Sequence, residues 1–270
     1  MAGGFQRVLM PTSLVYPICG LVVGFVIGLT GVGGGSLMTP ILLALGFHPA
    51  AAVGTDLIYA ALTKTVGTFA QHAGGTVEWK IVRRMAYGSV PATALTIWVL
   101  SHVDGASPQL AAVIKTVLGV ALLLTAAAIF LRSYIVQLAS RWSEPSDIRS
   151  ATLTIISGAV VGVLVSLSSV GAGAIGVTAL ILLYPRLNLA RIVGTDIAHG
   201  VPLTMVAGAG YWLHGDIDWH LLGSLLLGSV PGILAGSLLA PRVPERSLRP
   251  AMAAILLFVG VNSVMHAHLF

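Results

Sequence analysis

Charged residues are the scarcest class in this chain. Asp, Glu, Lys and Arg make up only 9% of its 270 residues, whereas an ordinary soluble domain has about 25%. Hydrophobic residues make up 56%, so polar side chains cannot cover a water-facing surface. The composition predicts an integral membrane protein. The net charge of +5 is therefore not taken as a sign of nucleic-acid binding, and no nucleic-acid partner is expected.

Several chemical signatures are also missing. Cys19 is the one cysteine, which excludes an intrachain disulfide. No nucleophile elbow, P-loop, zinc signature or dinucleotide fingerprint is present, so neither an ATP-driven pump in one chain nor a cofactor is expected. No nucleophile–base pair is visible, which argues against an intramembrane enzyme.

Long apolar runs fill most of the chain. A membrane-spanning helix needs about 20 apolar residues, and strand-length alternation is absent. We therefore predict an all-α integral membrane protein with about 8–10 transmembrane helices, of which two, at 34–46 and 172–184, are short or re-entrant. The ten apolar segments are 12–31, 34–46, 50–72, 81–100, 109–131, 152–170, 172–184, 190–213, 219–240 and 250–268.

The chain contains an internal repeat. Val22–Leu100 matches Val160–Ala240, with an offset of 140 residues after a two-residue insertion near 184–186 and of 138 before it. The sequence predicts a first transmembrane repeat at 1–131, a cytoplasmic linker at 132–150 and a second repeat at 151–270. The matched blocks are Val53-Gly54-Thr55-Asp56 with Val193-Gly194-Thr195-Asp196, Gly75-Thr76-Val77-Glu78-Trp79 with Gly215-Asp216-Ile217-Asp218-Trp219, and Gly88-Ser89-Val90-Pro91 with Gly228-Ser229-Val230-Pro231.

The cations predict how the chain is oriented in the membrane. If the ten segments alternate in direction, eleven cations lie on one side and only Arg7 on the other. The positive-inside rule then places the basic loops in the cytoplasm and both termini outside. The eleven are Lys80, Arg83, Arg84, Arg132, Arg141, Arg149, Arg186, Arg191, Arg242, Arg246 and Arg249.

Five segments per copy is an odd number, so we expect the two copies to be inverted relative to each other. The turn Val77-Glu78-Trp79-Lys80 is followed by Arg83 and Arg84, whereas its twin Ile217-Asp218-Trp219-His220 has no Lys or Arg. Matched loops therefore change charge as they change sides. The alternative, a parallel repeat of four helices, would leave the charges mixed.

Each copy has an early glycine-rich break, Gly31–Gly35 in the first and Ser168–Gly173 in the second. Glycine disfavours helix by about 1 kcal/mol relative to alanine, and a helix that restarts after such a break offers free N–H groups to an anion. Two such ends near the midplane of the membrane would form an anion site. The alternative is close helix packing through small residues.

Asp56 and Asp196 are the only carboxylates within the apolar segments, and they occupy equivalent places. A charge at the bilayer centre costs about 2.5–3.5 kcal/mol on insertion scales, so each needs a partner, a cavity or a functional proton. Proton or ion coupling is one interpretation. Hydrogen bonding to the glycine-rich turn of the same copy is the other.

Two further ionisable residues break the symmetry. Lys64 follows Asp56 by eight residues and has Thr204 as its twin; it is a candidate for binding an anionic substrate, with snorkelling to the membrane interface as the alternative. His199 follows Asp196 by three residues and has Tyr59 as its twin. It is a candidate proton relay or a buried core histidine.

The blocks Gly31-Val32-Gly33-Gly34-Gly35, Ala52-Val53-Gly54-Thr55, Gly75-Thr76-Val77-Glu78-Trp79 and Gly88-Ser89-Val90-Pro91 resemble the TauE/SafE family of sulfite and organosulfonate exporters. The resemblance covers nearly the whole chain. It implies a permease of a bacterial-type inner membrane. Many family members look like Gly-Thr-Ser where this chain has Gly-Thr-Asp, a departure that adds two acids and favours proton coupling.

The hypothesis is a secondary transporter that exports sulfite or an organosulfonate. Lys64 and the residues of the breaks would bind the anion, while Asp56, Asp196 and His199 would carry coupling protons. The rivals are a cation or metal carrier that uses Asp56, Asp196 and His199, and a non-transporting assembly or scaffold protein. The oligomeric state stays open, with a homodimer as one alternative. The substrate-binding candidates are Gly33, Gly34, Gly35, Ser36, Thr55, Lys64, Ser168, Ser169, Gly171, Gly173 and Thr195.

Overall fold

The computed structural model describes residues 14–30, 35–103, 107–141, 146–215, 217–239 and 245–265, and all regular secondary structure among them is helical. The predicted all-α class is thereby confirmed. The helices are α1 (Val15–Thr30), α2 (Gly35–Ala44), α3 (Pro49–Ala73), α4 (Trp79–Leu100), α5 (Pro108–Phe130), α6 (Arg132–Ala139), α7 (Asp147–Ser168), α8 (Ala174–Leu183), α9 (Leu189–Leu213), α10 (Trp219–Leu239) and α11 (Glu245–Met265).

Each of the ten predicted segments coincides with one helix, and α6 lies in the predicted linker. The largest differences are at α7 and α11, which begin five residues before the predicted segments. The two segments predicted to be short are α2 and α8, with 10 residues each. At about 1.5 Å per residue each covers roughly half of the bilayer core of about 30 Å.

The outer surface of the helices fits a lipid environment. Four described helices are long and apolar enough to cross a membrane: Pro108–Phe130, Asp147–Ser168, Leu189–Leu213 and Trp219–Gly236. Large apolar side chains project outward, among them Phe69, Leu213 and Phe258 at 72–83% exposure. In water such a surface would drive aggregation, whereas hydrocarbon solvates it. The chain is therefore a multi-pass membrane protein.

The helices of the two copies pack on each other in reciprocal pairs. Helix α1 packs on α10, and α7, the twin of α1, packs on α4, the twin of α10. Helix α3 packs on its own twin α9, and α5 packs on its own twin α11. The two copies therefore share one interior.

Glycine permits the closest of these contacts. A methyl group added at Gly88 of α4 would collide with the backbone carbonyl of Ile155 on α7. One added at the twin Gly228 of α10 would collide with the carbonyl of Pro17 on α1. The repeated Gly-Ser-Val-Pro block thus marks the position where helix backbones touch, as small residues do in membrane interfaces.

Candidate functional site

Helices α3 and α9 bring the predicted ionisable residues together. Asp56 and Lys64 lie on α3, while Asp196 and His199 lie on α9, which packs against it. All four side chains are buried, and Lys64 has the largest exposure at 6%. Asn188 begins α9 by accepting a hydrogen bond from the N–H of Arg191 at 2.9 Å. This cap fixes the start of the helix about two turns before Asp196.

Asp56 is held by helix α2 of its own copy. Its Oδ2 accepts hydrogen bonds from the Thr39 hydroxyl at 2.5 Å and from the Thr39 backbone N–H at 3.2 Å. Among the described residues its Oδ1 has no hydrogen-bond partner. The Ser169 hydroxyl and the Lys64 ammonium lie close enough to act on this carboxylate electrostatically.

Asp196 has a different environment. No hydrogen bond within the described part of the chain involves its carboxylate, and its Oδ1 is a buried atom without a partner. That oxygen lies against Gly176 in the first turn of α8, where an added methyl group would collide with it. The charged group that acts on Asp196 is Lys64.

Lys64 crosses from the first copy into the second. Its Nζ donates a hydrogen bond to the Ala172 carbonyl at 3.1 Å, inside the glycine-rich break between α7 and α8. Its side chain lies over Gly200 of α9, where an added methyl group would be only 2.6 Å from Nζ. Lys64 interacts electrostatically with both Asp56 and Asp196 but forms no ion pair within 4.0 Å among the described residues.

His199 contacts a serine of the repeated Gly-Ser-Val-Pro block. Its Nε2 lies 2.9 Å from the Ser89 hydroxyl of α4, while its Nδ1 is buried and has no partner among the described residues. The second copy's Ser229 is the twin of Ser89, and it lies beside Tyr59, the twin of His199. The two copies therefore place an aromatic residue beside this serine, but among the described residues only the His199–Ser89 pair is hydrogen-bonded.

The break between α7 and α8 has an irregular backbone. Ser169 ends α7 in the left-handed conformation with φ 57°, and Gly171 and Gly173 follow at φ 122° and 151°. A side chain would be strained at the last two, which explains the glycines. The Ser168 hydroxyl donates to the Leu164 carbonyl at 2.6 Å and accepts a hydrogen bond from the Val170 N–H at 3.2 Å, so it connects the end of α7 to the break.

The two threonines of the repeated Gly-Thr-Asp blocks tie the copies together. Thr195 Oγ1 accepts a hydrogen bond from the N–H of Glu78 at 3.0 Å, and Thr55 Oγ1 accepts one from the N–H of Asp218 at 3.4 Å. Glu78 and Asp218 immediately precede α4 and α10. Each threonine therefore contacts the start of a helix in the opposite copy; a role for either in substrate binding stays a prediction.

The first glycine-rich break is only partly visible. Gly33 and Gly34 lie outside the described residues, Gly35 is the first residue of α2 and Ser36 is the second. The helix restart predicted after this break is present. An anion-binding role for these four residues stays a prediction.

A family model described as "Sulfite exporter TauE/SafE" matches residues 16–263. The chain belongs to this family. The resemblance identified from the sequence motifs is therefore confirmed over nearly the whole chain.

Two relatives from Bacillus subtilis (strain 168) are similar over most of their length. "Probable membrane transporter protein YjnA" is 39% identical over 257 residues, which cover 94% of this chain and 100% of the relative. "Probable membrane transporter protein YdhB" is 27% identical over 245 residues, which cover 87% of this chain and 95% of the relative. No solved structure gives a significant match. Family and relatives support a membrane transporter.

Several residues of the candidate site could not be identified from the sequence of this TauE/SafE protein. Thr39, Ala172, Gly176 and Gly200 contact the buried ionisable side chains but carry no charge or motif that singles them out. Ser89 could have been identified as a candidate, since it lies in a block that is repeated identically in the second copy. In the described part of the chain no group of three or more His, Cys, Asp and Glu side chains could hold a metal ion.

Proposed function

We propose that this TauE/SafE protein is a secondary transporter that exports a small sulfur-containing anion, such as sulfite or an organosulfonate, and couples the export to protons. The family description supports the sulfur oxyanion as substrate. The observation that carries the proposal is Lys64, a buried cation whose ammonium lies between both copies.

The surroundings of Lys64 suit an exchangeable ligand. Its one hydrogen bond goes to a neutral carbonyl, that of Ala172, and no carboxylate lies within ion-pair distance among the described residues. A buried ammonium with this partner keeps two further N–H donors for another acceptor. An oxyanion supplies both acceptor oxygens and the opposite charge, so it would bind Lys64 more strongly than the carbonyl does.

The break beside Lys64 supplies the rest of the proposed binding site. Its irregular backbone lies next to the start of α8, and helix N-termini carry free N–H groups and a partial positive charge. In our proposal the amides at Gly171–Gly173 and the hydroxyl of Ser169 contact the anion, with Thr55, Thr195 and Ser168 nearby. The corresponding residues of the first break, Gly33–Ser36, would complete the site.

Alternating access in this proposal uses two inverted repeats that rock against each other. The reciprocal packing of α1 on α10 and of α7 on α4 supports such an arrangement. Ion pairs that join Arg191 to Glu78 and Arg84 to Asp147 at 2.7 and 2.8 Å would close the basic side, which we assign to the cytoplasm. A cavity between the ends of α3, α4, α5 and α9 would open on the other side; Leu100, Val103, Leu110 and His214 are among its lining residues.

The test is efflux of sulfite from proteoliposomes that contain equal amounts of folded protein. Wild type is expected to release sulfite faster than empty vesicles, and Lys64→Met is expected to abolish this release. Lys115→Met is the matched control, because Lys115 is the other lysine within the predicted apolar segments and lies on α5.

Two results would count against the proposal. Efflux of wild-type rate from Lys64→Met would remove Lys64 from the transport pathway. Protein-dependent flux of a divalent cation, together with indifference to sulfite and sulfonates, would favour the cation carrier instead.

A further inference from the structure

The two intramembrane carboxylates occupy equivalent positions in the repeat but have unequal partners. Asp56 accepts two hydrogen bonds from Thr39, through its hydroxyl and its backbone N–H. Asp196 accepts none within the described residues, although it is only 2% exposed. A buried carboxylate without hydrogen bonds is unstable as a permanent structural element, which points to a changing partner or a proton.

The sequence explains the inequality. The offset of 138 residues in this part of the repeat makes Val177 the twin of Thr39. Valine has nearly the shape of threonine but no hydroxyl, so the second copy cannot repeat the anchoring bond. The preceding position changes as well, since Met38 of the first copy corresponds to Gly176 of the second. Because Gly176 has no side chain, the Asp196 carboxylate can lie directly against its backbone.

The charged and titratable groups around Asp196 are few. Helix α3 contributes Lys64 and, further along, Asp56, of which Lys64 is the group that acts on Asp196. Its own helix contributes His199, and α4 contributes Ser89, the partner of that histidine. Glu78, which precedes α4, pairs with Arg191 through its carboxylate. Helix α8 carries no titratable residue. Lys64 is therefore the one described cation that the charge of Asp196 can balance.

We propose that Asp196 is the coupling carboxylate and the resting counter-charge of Lys64, whereas Asp56 is a structural anchor. This inference rests on the proposed anion transport. When the anion binds Lys64, it replaces Asp196 as the counter-charge, and Asp196 takes up a proton from the water on that side. When the proton leaves on the other side, the Asp196 carboxylate balances Lys64 again and the anion is released.

The charge balance of this cycle determines what should be observed. One proton crosses with each anion, so transport of a monoanion is electroneutral and is driven by a pH gradient. In a variant that cannot bind a proton at position 196, the anion crosses the membrane without a proton, and each transport event moves one negative charge. Transport should then respond to the membrane potential and no longer to the pH gradient.

The first test does not depend on knowing the substrate. Infrared spectroscopy of the protein in lipid nanodiscs follows the C=O band of protonated carboxylic acids as pH changes. We expect a titrating band in the wild type that is lost in Asp196→Asn and retained in Asp56→Asn. Exposed carboxylates such as Asp147 contribute the same bands to all three proteins, so titration spectra of Asp196→Asn that match those of the wild type would overturn the inference.

A second pair of variants covers the case in which an Asp variant does not fold. Val177→Thr places at 177 the hydroxyl that the first copy has, and Thr39→Val removes that hydroxyl from the first copy. A carboxyl C=O that accepts a hydrogen bond absorbs at lower frequency, so Val177→Thr is expected to shift the titrating band. Thr39→Val is expected to leave it in place, and the opposite pattern would assign the titrating proton to Asp56.

The third measurement is sulfite efflux with and without an imposed pH gradient that is acidic inside the vesicles, because proton and anion leave together. Stimulation by the gradient should disappear in Asp196→Asn and persist in Thr39→Val. Full stimulation in Asp196→Asn would overturn the inference even if sulfite is transported. If the wild-type protein does not transport sulfite, only the proposed substrate is overturned. The infrared titration then still decides whether Asp196 titrates.

Discussion

The two copies of the repeat share their framework and differ in their chemistry. Twin glycines bring helix backbones into contact in both copies, and twin threonines accept hydrogen bonds from the start of a helix in the opposite copy. The buried charges are not matched in this way. The repeat equivalent of Lys64 is Thr204, which has no charge. Asp56 accepts hydrogen bonds from Thr39, whereas its twin Asp196 accepts none among the described residues.

This difference shows which parts of a duplicated protein build the fold. Features present in both copies are explained by packing and helix capping, which both copies need. Features present in one copy are not required by the fold, because the other copy folds without them. The asymmetric residues Lys64, Gly176 and Gly200 are therefore the first places to look for function.

The largest contrast should come from Lys64 and its twin. Lys64→Thr gives the first copy the residue of the second, and we expect complete loss of anion transport with folding intact. Thr204→Val removes a hydroxyl that donates to carbonyls of its own helix, those of Gly200 at 2.8 Å and Val201 at 3.4 Å. We expect it to cost at most about 0.5–1.5 kcal/mol of stability and to leave transport in place. Equal transport defects in the two variants, measured by efflux, would contradict the functional asymmetry.

A smaller contrast is expected at Gly200 and its twin Ala60. A methyl group at 200 would lie 2.6 Å from Nζ and 2.7 Å from Cδ of Lys64, so Gly200→Ala must push the lysine side chain out of its position. An off-rotamer side chain costs about 0.5–1.5 kcal/mol, which corresponds to a loss of up to about tenfold in anion affinity.

Ala60→Gly is the matched control for Gly200→Ala. It should destabilise its helix by about 1 kcal/mol without changing affinity. Sulfite titrations and thermal unfolding of both variants measure the two effects separately. Unchanged affinity in Gly200→Ala would show that the close approach at Gly200 does not position Lys64.

A third comparison concerns stability alone. Thr39→Val leaves Asp56 Oδ2 without its hydroxyl donor, and loss of a hydrogen bond to a charged group costs about 1.5–3 kcal/mol. The twin position already has valine, so Val177→Ala should cost only the loss of apolar packing. It removes two carbons, at about 0.5–1.5 kcal/mol each, which gives about 1–3 kcal/mol. Chemical unfolding in mild detergent compares the two. A free energy of unfolding of Thr39→Val equal to that of the wild type would argue against the anchoring role of Thr39.

The smallest contrast lies at the starts of α4 and α10. Glu78 pairs with Arg191 at 2.7 Å, but both side chains are partly exposed, so Glu78→Ala should cost no more than about 0.2–1 kcal/mol. The twin Asp218 caps α10 by accepting the N–H of Leu221 at 2.9 Å. Loss of such a cap typically costs about 1 kcal/mol. Salt should reduce the effect of Glu78→Ala and hardly alter that of Asp218→Ala; a salt-independent effect at Glu78 would indicate a role other than the ion pair.

The helices could be predicted from the sequence because length and composition determine them locally. Apolar runs gave the ten segments, and the glycine-rich stretch at Ser168–Gly173 marked the break where positive φ angles occur. The repeat identified Thr55 and Thr195 as a matched pair. Their contacts with Glu78 and Asp218 depend on how the copies pack, which spacing along one chain does not reveal.

The partners of the charged residues were equally out of reach of the sequence. Lys64 was a candidate for an anion site, but its contact with the Ala172 carbonyl requires the register between α3 and the α7–α8 break. From the sequence, Asp56 and Asp196 were predicted to have the same role, since nothing in the Gly-Thr-Asp blocks distinguishes them. Their difference arises from Thr39 and Val177, which lie 17 and 19 residues away on neighbouring helices.

The most direct measurement of the central claim is calorimetric binding of sulfite to purified wild-type, Lys64→Met and Lys115→Met protein in detergent. The account predicts saturable binding to wild type and to Lys115→Met, and none to Lys64→Met, with all three proteins equally folded. Sulfite binding of equal affinity to Lys64→Met would contradict it, because the anion would then be held elsewhere in the molecule.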